Sequence, residues 1–204
     1  MKFNELELRV LDISYKNKIG HLSSNLNAVN IIDEIYKTKD KEEIFILSSG
    51  HAALALYCVI EKYIGIDAEF LFDRHGVHPH RDVKNDIYCS TGSLGMGLTV
   101  ACGYALSNRN RNVYCLISDG ECGEGSIWEA LRFIQEANLT NLKVYVNVNG
   151  MIAYDFIDKK YLIDRLKAFL PSINIIETFP PEIPGANGIL THYYVLKPED
   201  YTQI

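Results

Sequence analysis

The chain has 204 residues, 48% of them hydrophobic, and a formal net charge of −6; this length and apolar content are enough for one α/β domain with a buried core. The negative charge and the lack of a basic run argue against a nucleic-acid binder, because neutralising phosphates needs a basic surface. The amino terminus is charged instead of carrying an apolar signal core, and no apolar stretch is long enough to span a bilayer, so no membrane role and a soluble, cytoplasmic protein are expected.

In chain order, Leu6, Leu8, Val10, Leu11 and Ile13 predict an amphipathic helix that runs toward Lys18 and stops near Gly20. A small-residue loop, Ile19 to Leu26, then carries His21, and the next helix is predicted from Ala28 to Tyr36. Glu43 to Leu47 is the first convincing strand, followed by the turn Ser48-Ser49-Gly50-His51 and an apolar helix, Ala52 to Tyr63. A turn of that composition at a helix amino end is a ready anion site. From Asp67 to Asn85 the chain reads as irregular and polar, and three of its six histidines, His75, His78 and His80, fall there.

Cys89 to Gly97 is a glycine-rich turn opening the predicted helix Leu98 to Leu106. The apolar run Asn112 to Ile117 reads as a buried parallel strand that stops at Asp119-Gly120. A helix from Ser126 to Ala137, with Ile127, Ala130, Leu131 and Ile134 as its buried stripe, leads to a second strand that ends at Asn149-Gly150. Past that point Lys159 to Phe169 predicts a helix and Ile173 to Glu177 a strand, before Pro180, Pro181 and Pro184 break the chain. Tyr193 to Leu196 reads as an edge strand with His192 at its start, or as part of a functional loop. The five cysteines, Cys58, Cys89, Cys102, Cys115 and Cys122, are odd in number and scattered, which fits reduced thiols better than a disulfide frame.

Several of these residues carry chemistry. Asp119 and Asn149 stand 30 residues apart, the span of one βαβ unit, so a single crossover brings a carboxylate and an amide oxygen to adjacent strand ends. That pair suits a hard cation such as magnesium or calcium. Asp-Gly and Asn-Gly are also ordinary turn dipeptides. The histidines at 75, 78 and 80 suit either a metal or a substrate loop; His80 and Arg81 suit an anionic group or plain solvent.

Taken together, Ser-Asp-Gly ending thirty residues later in Asn, Gly20-His21, Ser49-Gly50-His51, His78-Pro79 and Thr91-Gly92-Ser93-Leu94-Gly95-Met96-Gly97 resemble, in family order, the motifs of transketolases. Ser118 stands where that family has its first glycine, Ser49 where it has Asn, and Val77 where it has Gly before His-Pro. The resemblance implies an α/β fold with three layers, a parallel sheet with helices on both faces, of the thiamine diphosphate-binding kind. It implies that Asp119, Asn149 and the Met151 carbonyl hold Mg2+ or Ca2+ on the cofactor diphosphate, with Gly120 beside them. His51 would face the diphosphate, Gly92 and Leu94 would hold the aminopyrimidine ring, and His21, His78 and His192 would contact the substrate. Glu124 matches a family glutamate at the dimer interface, and a helix amino end also accounts for it; Trp128 is expected to pack.

What the resemblance implies functionally is transfer of a two-carbon ketol unit from a ketose to an aldose, with the cofactor doing the covalent chemistry. The family also uses a glutamate on a pyrimidine-binding domain, for which the 204 residues offer no second α/β unit. The expectation is therefore one diphosphate-binding domain over 1–204, with a shortened carboxyl end. It would be one half of a split transketolase, inactive without a partner that carries the pyrimidine domain and its glutamate, in an α2β2 assembly acting on sugars or sugar phosphates. The alternatives are a thiamine-dependent carboligase for an unusual sugar, a component of a 2-oxoacid dehydrogenase, and a non-catalytic cofactor-fold binding protein.

Overall fold

Four short apolar runs build the sheet, because a strand buried on both faces has no place for alternating polar residues. A computed structural model describes residues 3–152, 155–179 and 181–204. Its helices and strands are, in order, α1 (Glu5–Asn17), α2 (Leu22–Thr38), β1 (Ile44–Leu47), α3 (Ala53–Ile64), α4 (Ala68–His75), α5 (Met96–Ser107), β2 (Val113–Ser118), α6 (Gly125–Glu136), β3 (Leu142–Val148), α7 (Lys159–Phe169), β4 (Asn174–Glu177) and α8 (Pro198–Tyr201). The strands pair in the order β1-β2-β3-β4, all parallel, with Leu47 opposite Leu116 and Ser118 opposite Asn147.

The period-two geometry of a strand divides the core in two. Phe45, Leu47, Tyr114 and Leu116 pack with α1, α2, α3 and α4 on one face. Ile44, Ile46, Cys115, Ile117, Val144, Val146 and Val148 pack with α5, α6 and α7 on the other. The result is the expected three-layer α/β arrangement. Each fully buried Ile, Leu or Val contributes about 1.5–3 kcal/mol relative to exposure, so the two apolar faces together hold the sheet against the entropy of the chain.

Local expectations hold in part. The helices α5, α6 and α7 and the strands β1, β2 and β4 lie within two residues of their predicted bounds, and all five cysteines are buried free thiols. Three corrections stand out. The first helix ends on Lys18, which takes the left-handed conformation at φ 53°, two residues before the glycine expected to do so. The loop expected over 19–26 is mostly helix: α2 already begins at Leu22, with His21 at its N-cap. Its serines and asparagines could start a helix because Ser23, Asn25 and Leu26 are buried against the domain, and burial outweighs their weak propensity. Similarly, the polar stretch 67–85 contains α4, capped by Asp67 accepting from the Phe70 N–H at 2.7 Å and anchored by buried Ala68 and Leu71.

At the carboxyl end, Gly188–His192 forms a 3-10 turn, and the strand expected over 193–196 does not form. Pro180 lies outside the described residues. Among the described residues, no helix is long and apolar enough to cross a membrane.

Candidate active site

Parallel pairing puts the carboxyl ends of β1, β2 and β3 side by side, and the turns leaving them meet in one cleft of about 250 Å3. Open parallel sheets place ligands there. Behind β1 the chain tightens into a 3-10 turn, Gly50–Ala52, before α3. Two of its N–H groups are used inside it, Gly50 to the Ser48 carbonyl and Ala52 to the Ser49 carbonyl, both at 2.9 Å, so the turn offers fewer anion donors than its composition implies. The glycine-rich turn presses onto it backbone to backbone. A Cβ on Gly50 would sit 2.6 Å from the Thr91 carbonyl carbon, and one on Gly97 would sit 2.6 Å from the Ser48 Cα. Only glycine permits that approach.

Asp119 follows β2 and is 2% exposed. Its Oδ2 accepts from the Asn149 N–H at 2.8 Å and the Gly150 N–H at 2.7 Å, while Oδ1 accepts from the Gly120 N–H at 3.0 Å. The βαβ arithmetic is thereby realised as a direct link between the β2 and β3 ends. Burial pushes the Asp119 carboxyl up to about 6, against the pull of those three N–H donors. On the other turn, Asn149 Oδ1 accepts from the Met151 N–H at 2.7 Å. Asp119, Gly120, Asn149 and Met151 all line the cleft. Ser118 ends β2 in ordinary strand conformation, which explains why a glycine is not needed there.

Three histidines gather at the cleft mouth from distant parts of the chain. The rings of His21 and His51 are 5.2 Å apart, those of His21 and His192 4.6 Å, and those of His51 and His192 5.8 Å. His21 Nδ1 lies 3.2 Å from His192 Nε2, so one ring donates and the other accepts. Burial, with the neighbouring imidazoles adding to it, lowers His21 to about 4 and His51 to about 3, and burial also lowers His192. All three are neutral at pH 7. His78 stands at the exposed rim of the same cleft, its ring 3.1 Å from where a Cβ of Gly92 would be; Leu94 lines the cleft too.

The remaining histidines do not join them. His75 is buried with Nε2 3.5 Å from Asp82 Oδ2, and His80 is exposed, so the stretch does not converge as a metal site. Among the described residues, no group of three or more His, Cys, Asp and Glu side chains is arranged to hold a metal ion. Arg81 donates to Tyr104 Oη on the surface. Glu124 is exposed at the N-cap of α6 without a side-chain cap bond. Trp128 packs as expected, its Nε1–H donating to the Cys122 carbonyl at 2.9 Å and its ring against Phe169.

Two buried residues organise the site and carry no motif. Asn25 is 1% exposed; its Nδ2 donates to the carbonyls of His21 at 3.0 Å and His51 at 3.3 Å, and its Oδ1 accepts from the Ala55 N–H. Glu121 is fully buried between Ser48, Gly95 and Ser118. A polar residue on the buried stripe of a helix was the available signal for Asn25, and it was obscured by reading that stretch as loop.

The donor set fits a hard cation and a polar occupant. Asp119 offers about four lone-pair positions and spends three on N–H groups, Asn149 adds an amide oxygen, and oxygen ligands suit magnesium or calcium. In the cleft wall, Ser23 Oγ is buried with no hydrogen-bond partner among the described residues. A larger groove of about 710 Å3 lies between α2 and the β3–β4 end of the sheet; among the described residues, no histidine and none of the turns after β1, β2 and β3 line it, so the chemistry does not gather there.

A family model described as 1-deoxy-D-xylulose-5-phosphate synthase matches residues 4–158. The chain belongs to this transketolase-type family of N-terminal domains. It is 32% identical over 163 residues to one of the subunits of an apulose-4-phosphate transketolase from Phocaeicola vulgatus, covering 70% of this chain and 58% of that protein. With human transketolase it shares 33% identity over 170 residues, 72% of this chain and 27% of the relative. This transketolase-type domain therefore spans less than two thirds of the length of these curated relatives. Its fold is that of solved transketolases: one from Pichia stipitis superposes with a TM-score of 0.70 at 18% identity, over 97% of this chain and 39% of the other. Another, from Leishmania mexicana, gives 0.64 at 19% identity, over 86% and 35%.

Proposed function

We propose that this chain is the diphosphate- and metal-holding subunit of a heteromeric, thiamine diphosphate-dependent transketolase that moves a two-carbon ketol unit from a ketose to an aldose. One observation carries the reading: Asp119 and Asn149, joined at the ends of β2 and β3, share a cleft with the neutral imidazoles of His21, His51 and His192. The likeness to a relative that is itself named as one subunit of a transketolase supports the heteromeric part.

In this reading Asp119, Asn149 and the Met151 carbonyl hold Mg2+ or Ca2+, while Gly120, His51, Gly92 and Leu94 face the cofactor. When bound, the cofactor supplies the covalent chemistry at the ketose carbonyl. His21, His78 and His192 bind sugar oxygens. A neutral imidazole can donate from one nitrogen and accept at the other, which suits oxygens whose charge changes during transfer. A partner subunit supplies the pyrimidine-binding domain and its glutamate, in an α2β2 assembly. The family model's synthase description favours a second reading, a carboligase of the same cofactor class acting on another substrate.

The test is coexpression with the candidate partner subunit, followed by thiamine diphosphate binding with magnesium and ketol transfer from hydroxypyruvate or a ketose phosphate. Binding and transfer by the pair, both lost in Asp119→Ala, are expected. A mutant pair that bound cofactor and metal like wild type would make the site assignment wrong. Binding without transfer across a donor panel would favour the carboligase.

A further inference from the structure

Glu121 joins three segments that enter the cleft from different parts of the chain. Its Oε1 accepts from Ser48 Oγ at 2.6 Å and from the Gly95 N–H at 2.9 Å, and its Oε2 accepts from the Ser118 N–H at 3.0 Å. Ser48 opens the turn that carries His51. Gly95 closes the turn that carries Gly92 and Leu94. Ser118 directly precedes Asp119. Each segment assigned to one portion of the cofactor thus ends one hydrogen bond from the same carboxylate.

Chemistry makes this junction specific to a carboxylate. An ionised carboxylate only accepts, on both oxygens, and all three neighbours present a donor. A glutamine of equal length would turn an N–H toward the Gly95 or the Ser118 N–H and leave one of them unpaired in a fully buried place. The packing leaves little slack to absorb that change, since Gly97 already brings α5 within van der Waals contact of the Ser48 backbone.

We infer that Glu121 is a positioning residue that sets the spacing of the Ser48–His51, Gly92–Gly95 and Ser118–Gly120 turns for the cofactor. It touches no substrate; it acts through the turns it holds. The inference rests on reading the cleft as a thiamine diphosphate site.

The experiment is equilibrium binding of thiamine diphosphate with magnesium to the reconstituted pair, alongside kcat as a function of cofactor concentration and thermal unfolding. For Glu121→Gln the expected result is a cofactor Kd weaker by about 10- to 100-fold, the scale of outer-shell positioning losses, with kcat at saturating cofactor changed by less than about 3-fold. Ser48→Ala removes one donor and is expected to weaken binding by about 3- to 10-fold. Leu131→Ala, a core truncation in α6, controls for stability and is expected to lower the unfolding temperature while leaving Kd unchanged. Wild-type affinity in Glu121→Gln, or in Ser48→Ala if the glutamine variant fails to fold, overturns the inference. So does an affinity in Leu131→Ala that drops as far as in Glu121→Gln. Failure of the wild-type pair to bind cofactor overturns instead the reading of the cleft.

Discussion

His21 and His192, 171 residues apart, are tied twice: the His21 N–H donates to the His192 carbonyl at 2.7 Å, and the two rings meet through Nδ1 and Nε2 at 3.2 Å. The second bond requires the turn at Gly188–His192 to dock on the amino end of α2. His21 itself sits at φ 57°, an unusual conformation for a residue with a Cβ, which the docked segment helps to hold.

From this tie we predict that His192→Ala and His21→Ala each lower kcat/KM for ketol transfer by about 100- to 1,000-fold, the range for losing one donor to a developing charge. Because the rings act through a shared hydrogen bond, the double variant should lose less than the product of the two single losses. Steady-state kinetics on the reconstituted pair checks this; multiplicative losses would mean that the rings act independently.

Asn25 supports the same cluster from below. Asn25→Leu takes the side-chain partner from the Ala55 N–H and the His51 carbonyl, while the His21 carbonyl keeps the backbone N–H of residue 25, and a single unsatisfied buried group costs about 1–3 kcal/mol. Urea unfolding should register a loss of at least that size, and the His51 ring, released from its anchored backbone, should bring weaker cofactor binding with it.

Acid should destabilise the fold through the histidines. A histidine with a depressed folded pKa binds fewer protons folded than unfolded, so its contribution is complete above about pH 6.5 and declines as pH falls toward the folded value. For His21 that value is about 4 and for His51 about 3. Asp119, raised to about 6, works the other way between its unfolded and folded values, as does buried Glu121. Three histidines act in this direction against two carboxylates, so unfolding free energy is expected to fall from pH 7 to pH 5. Denaturation curves across that range test the sign, and His51→Gln should flatten the decline.

Two glycines should respond oppositely to alanine. At Gly50 the new methyl meets the Thr91 backbone at 2.6 Å, so Gly50→Ala is expected to cost about 1–3 kcal/mol and to disturb the His51 turn. Gly103 lies exposed within α5 with nothing near its missing Cβ; Gly103→Ala should stabilise by about 0.5–1 kcal/mol. Thermal unfolding of both variants decides this, and a stabilised Gly50→Ala would contradict the backbone contact.

Much of the architecture is legible in the sequence. Continuous apolar runs such as Val113 to Ile117 read as strands buried on both faces, and the 30 residues between Asp119 and Asn149 suffice for one crossover. The link from Asp119 Oδ2 to the N–H groups of Asn149 and Gly150 is where that arithmetic becomes contact. Local patterning failed where burial overrode propensity, in the first turns of α2 and throughout α4. Spacing alone left His75, His78 and His80 open between a metal and a substrate loop; of the three, only His78 lines the cleft.

By itself the sequence determined the parallel α/β class, the order of β1 to β4 and the Asp119 and Asn149 turns at the ends of two of them, because these follow from periodicity and short-range spacing. Only the tertiary structure decided that His192 reaches His21, that Asn25 holds two histidine backbones, and that Glu121 joins three turns. Apart from the short links Asn25–His21 and Ser118–Glu121, those contacts span 26 to 171 residues of chain, and nothing in a local pattern encodes which distant donor a buried acceptor will meet; that is set by how the layers pack.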